Sequence, residues 1–85
     1  MVLSEQKQKI LDTIVDFDNQ IDQMHAQFHK YYTKETKIRP DWLRLENKLR
    51  DFSAQKIFDI QISGQRDRIL YKFQNRKKIW LSWIE

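Results

Sequence analysis

A chain of 85 residues with one glycine, one proline and no cysteine has room for one hydrophobic core, and no means to build a disulfide framework or use thiolate chemistry. Five Phe, three Trp and three Tyr in a 40% hydrophobic composition suffice for a packed interior, and the 33% of charged side chains is ordinary for a water-facing helical surface. The net charge of +4 is unevenly placed: residues 1–43 carry six bases and seven acids, residues 44–85 ten bases and five acids.

The chain is read as one helical domain over residues 1–85. The first predicted helix spans about residues 4 to 32. Its seam is Ile10, Ile14, Phe17, Ile21, Met24, Phe28 and Tyr31, alternating steps of four and three as in a coiled coil, which keeps every member on one face. Ser4 is the expected N-cap, because its hydroxyl is placed to accept from a first-turn amide. Residues 33–39 lack an apolar period and lead to Pro40, whose ring disfavours a helical Arg39 yet suits the first turn of a new helix.

The second predicted helix begins near Pro40 or Asp41 and carries Trp42, Leu45, Leu49 and Phe52, with Ile57 and Ile60 prolonging the stripe. Gly64 is expected to cap it, since a left-handed backbone costs glycine little. A third helix then groups Ile69, Phe73, Trp80, Trp83 and Ile84 on one face, with Leu70, Ile79 and Leu81 at its margins. The fold class that follows is all-α, a three-helix antiparallel bundle with a long first helix. The second choice is α+β: the alternation of Phe58, Ile60 and Ile62 before Ser63 and Gly64 also suits a small hairpin around Gly64.

Among polar groups, Asp18, Asp22, His25 and His29 stand in one row at helical spacing. Two imidazoles one turn apart with a carboxylate beside them form a geometry that zinc accepts, but nothing elsewhere completes a shell, so a solvated row is the preferred reading and no metal or other cofactor is expected. Asp12, Asp16, Asp18 and Asp22 read as a wet acidic flank that pairs with the basic third helix. Arginines 39, 44 and 50 recommend an anion cleft only weakly, and with no nucleophile grouping or phosphate loop the chain is not expected to be an enzyme.

Two surfaces remain. Phe58, Ile62 and Tyr71 fall off the main stripes, as do Leu11 and Val15, and Trp80 and Trp83 are suited to anchor a contact. Phe58, Ile62, Tyr71, Trp80 and Trp83 are therefore the expected partner-binding residues of a non-enzymatic module that pairs with a copy of itself, as a dimer, or with another helical protein. The alternative is a nucleic-acid-binding regulator using Arg66, Arg68, Lys72, Arg76, Lys77 and Lys78, whose cations would neutralise phosphates while neighbouring rings stack on bases. The same basic amphipathic helix also suits a membrane surface. No run of apolar residues approaches bilayer-spanning length and the N-terminus lacks a secretory pattern, so a cytoplasmic location is expected.

Overall fold

The seam read from the sequence is the element on which the fold is built. The computed structural model describes residues 2–57 and 59–84, with side chains from residue 6 onward. Helix α1 is Val2–Tyr32, α2 is Trp42–Ser53 and α3 is Ile60–Ile84; no strand occurs among the described residues, and the hairpin around Gly64 is replaced by helix. Lys7 lies 3.1 Å from Asp59, Lys72 2.7 Å from Asp18, and the Trp80 indole 3.1 Å from His25, so α1 and α3 run parallel, level along their lengths. Helix α2 returns between them: Phe52 at its end meets Phe17, with ring centres 5.4 Å apart, while Glu46 in its first half meets Lys77. The product is an up-down-up bundle, a rod of 49 × 18 × 17 Å.

The core follows the predicted stripes. Ile14, Phe17, Ile21 and Phe28 from α1 meet Leu45, Leu49 and Phe52 from α2 and Ile62, Ile69, Phe73 and Trp80 from α3. Ile10, Met24, Trp42, Leu70, Trp83 and Ile84 pack around them, and no polar or charged residue is buried among the described residues. Each such apolar side chain removed from water contributes about 1.5–3 kcal/mol. A domain of this size needs that contribution, because it buries a smaller share of its surface than a larger domain does.

The helix ends differ from the sequence reading in three places, and the end of α1 at Tyr32 agrees with it. Helix α1 begins at Val2, so Ser4 lies inside its first turn rather than ahead of it. At its other end Lys34 adopts φ 68°; its amide donates to the Tyr31 carbonyl and that of Glu35 to the Lys30 carbonyl at 2.8 Å. This is the left-handed stop that glycine usually supplies, here filled by lysine. Helix α2 ends at Ser53, about ten residues earlier than predicted. Continuing it would have left Ile62 on the outside; the break after Ser53 keeps Ile57 on the core, brings Ile62 to 3% exposure and turns Ile60, expected on the α2 stripe, out to 87%. Finally, Gly64 caps nothing and sits within the second turn of α3, where an added Cβ would meet no atom within 4 Å.

Aspartates start both later helices. The Asp41 carboxylate accepts from the Arg44 amide at 3.2 Å, and the Asp59 carboxylate from the Gln61 and Ile62 amides at 2.9 and 3.1 Å. Each satisfies first-turn donors that have no helical partner. The Arg66 guanidinium closes the α2–α3 turn by donating to the Gln55 carbonyl at 3.3 Å.

Candidate functional site

Because α1 and α3 are long and α2 spans only the middle of the rod, α2 covers one side of the α1–α3 pair and leaves the other side open. On that open side a groove of about 710 Å³ runs between α1 and α3. Ile14, Val15 and Asp18 line it from α1, and Arg68, Ile69, Tyr71, Lys72, Arg76 and Ile79 are among its lining from α3; no α2 residue contributes. Val15 is 58% exposed, Tyr71 71% and Ile79 38%, so an apolar strip faces water along the groove. Large contiguous exposed apolar surface is uncommon on a small soluble chain.

The predicted partner-binding residues separate on folding. Tyr71 stands at the groove. Ile62 and Trp80 are core residues, at 3% and 0% exposure, which corrects their placement on a binding surface: Ile62 turns inward because the chain restarts as a new helix at Ile60, and Trp80 because it lies on the buried α3 face that it shares with Ile69 and Phe73. Trp83 is half-buried, stacked on Tyr32 with ring centres 5.2 Å apart and lying 5.3 Å from the His25 ring. Phe58 lies outside the described residues. The sequence reading did not name Val15 and Ile79 as site residues, although the signal was present: Val15 stands off the α1 seam and Ile79 at the margin of the α3 face.

The six cations proposed for nucleic acid do not form one exposed stripe. Lys72 is held between Asp18 and Asp22 at 2.7 and 2.8 Å. Its burial disfavours the charged form, but hydrogen bonds to these two carboxylates outweigh that and raise its pKa above the ordinary lysine value. Lys77 donates to Glu46 at 2.6 Å and sits 5.0 Å above the centre of the Trp42 ring, tying α3 to α2. Arg66 serves the α2–α3 turn. Arg68 and Arg76 border the groove, and Lys78 is exposed beside it in sequence. The pairing of Lys72 with the α1 aspartates is the helix-to-helix match expected from the acidic flank.

The row Asp18, Asp22, His25 and His29 is likewise divided. The two carboxylates face Lys72, and His25 Nδ1 accepts the Trp80 indole N–H at 3.1 Å. No group of three or more His, Asp or Glu side chains among the described residues is arranged to hold a metal. Burial is the main cause of a lowered His25 pKa, with Arg76 and His29 adding to it and Asp22 opposing. Phe28 stacks on Trp80 with ring centres 4.9 Å apart and Phe73 meets it edge-on at 5.7 Å, so His25 closes the polar end of an otherwise aromatic box.

No helix among the described residues is long and apolar enough to cross a membrane. The class these features define is a three-helix bundle with an uncovered amphipathic groove between α1 and α3. No family model, curated protein or solved structure matches the chain.

Proposed function

We propose that this chain is a non-enzymatic interaction module that binds a helical surface through the α1–α3 groove. The observation that carries the reading is the clustering of Val15, Tyr71 and Ile79, all substantially exposed, on the one side of the α1–α3 pair that α2 leaves open. A bundle that presents two parallel helices with an apolar trough between them offers the seat that a further helix fills in four-helix packing. The charged groups at the trough's edge supply orientation and exclude unsuitable partners rather than affinity.

The test is site-specific photo-crosslinking in cells, with the reactive side chain at Tyr71 and, as a control, at Leu43, which is 51% exposed on α2. The expected result is strong linkage at Tyr71 to a helical segment of a protein, whether a second copy or another chain, and weak linkage at Leu43. Equal linkage at both positions, or linkage at Tyr71 to nucleic acid, would overturn the reading. In the nucleic-acid case, binding that weakens steeply as salt rises would identify phosphate neutralisation as the driving force.

A further inference from the structure

The two walls of the groove carry opposite charge. Between Lys9 and Lys30, α1 has Asp12, Asp16, Asp18 and Asp22 and neither lysine nor arginine. Asp18 and Asp22 share the single ammonium of Lys72, and Asp12 accepts only a neutral amide, from Gln8 at 2.9 Å, and makes no ion pair among the described residues; Asp16, which accepts from Gln20 at 2.8 Å, is turned away from the groove. At 100° per residue, Asp12 and Asp22 stand on either side of Val15 along the outward line of α1. On α3, Arg68 and Arg76 border the groove and make no ion pair among the described residues. Around the axis of α3, Arg68 falls in angle between Tyr71 and Ile79 and lies just under a turn below Tyr71.

Because the two helices are parallel and level, these charges also match in height. Lys72 reaches both Asp18 and Asp22; Arg68, about 6 Å lower on α3, is level with Val15, between the turns of Asp12 and Asp18, and Arg76 stands just above Asp22. An occupant suited to this surface must present a base over α1 and an acid over α3 at those heights, with apolar groups between. The chain's own groove, turned half a revolution about the long axis of the rod, does so.

We propose that a second copy of this chain covers the groove, the two copies related by a two-fold axis parallel to the bundle, so that α1 of each lies on α3 of the other. The proposal rests on the reading of the groove as an interaction surface. A two-fold axis along the rod sets acid against base at both walls, whereas one perpendicular to it sets α1 on α1 and α3 on α3, acid against acid and base against base. Association also suits an 85-residue chain whose own core is small.

The experiment is sedimentation of the purified chain together with charge-swapped variants. Asp12→Lys alters the α1 wall, and Arg68→Glu the α3 wall; circular dichroism verifies that each remains helical. The expected result is a dimer for the unaltered chain, association at least tenfold weaker for each variant alone, and recovery when the two variants are mixed, since base then meets acid at both walls. The arrangement is read separately from spin labels on Gln8→Cys or Ala26→Cys, in a chain with no other cysteine. A lengthwise axis gives similar same-site distances at both positions. A perpendicular axis through the middle of this stretch instead adds an axial offset of about 27 Å at each position, and one nearer either end makes the two distances unequal.

A dimer indifferent to both charge swaps, or label distances of the perpendicular kind, would overturn the proposal. So would a chain that stays monomeric at several hundred micromolar; if Tyr71 nevertheless cross-links to a different helical protein, the groove reading stands and only the second copy is removed.

Discussion

At the scale of single residues, the contact between His25 and Trp80 links stability to pH. The buried indole N–H needs an acceptor, and neutral His25 supplies it through Nδ1. The folded imidazole has a pKa below its ordinary 6.5, first through burial and then through Arg76 and His29, with Asp22 opposing. The unfolded chain therefore takes up this proton first as the medium is acidified. The contribution of His25 is complete above about pH 6.5 and is lost as pH falls through the depressed folded value. Urea unfolding midpoints should drop between pH 7.5 and 5.5, and His25→Gln, which keeps an acceptor but does not titrate, should flatten the drop. Replacement by Leu should cost about 1–3 kcal/mol at neutral pH by leaving the indole unpaired. Lys72 works in the other direction: its raised folded pKa gives stability that is full below the unfolded lysine value and lost as pH rises through the folded one.

At the scale of elements, the decisive feature is the break between α2 and α3. The amphipathic stripes showed where helices exist, and the seam of α1 was fully legible because a three-four alternation is a property of one helix taken alone. The end of α2 was not legible. No Gly or Pro marks Ser53, and the apolar residues beyond it fit a longer helix or a strand when read locally. Asp59 was the available signal, an N-cap residue standing just before an apolar segment. Two substitutions test the observed boundary. Asp59→Ala should lower the melting temperature, since it frees the Gln61 and Ile62 amides and removes the partner of Lys7. Gly64→Ala should raise stability by about 0.5–1 kcal/mol, because this glycine is in a helix with open space at its Cβ. Were Gly64 a left-handed cap, the same change would destabilise, so a thermal melt separates the two structures.

At the scale of the whole molecule, a three-helix rod with α2 on one side leaves the α1–α3 pair covered on that side alone. Pairing through the open side links folding to association, so the melting temperature should rise with chain concentration, by roughly 3–5 °C for each tenfold increase. Tyr71→Glu should abolish that dependence, because it puts a charge into the apolar strip, while leaving the core contacts of α3 in place. A melting temperature that stays constant from micromolar to millimolar chain would speak against self-association.

The order of residues by itself determined that this chain is helical, that its first helix carries an unbroken seam, and that acid and base are divided between its first and last helices. These are patterns within one segment, and helical pitch is enough to read them. Only the tertiary structure decided that Ile62 faces inward, that Lys72 and Lys77 are spent on Asp18, Asp22 and Glu46, and that Val15, Tyr71 and Ile79 share one groove. Each of those outcomes depends on which face of one helix is turned toward another, and that rotation is set by packing between residues tens of positions apart.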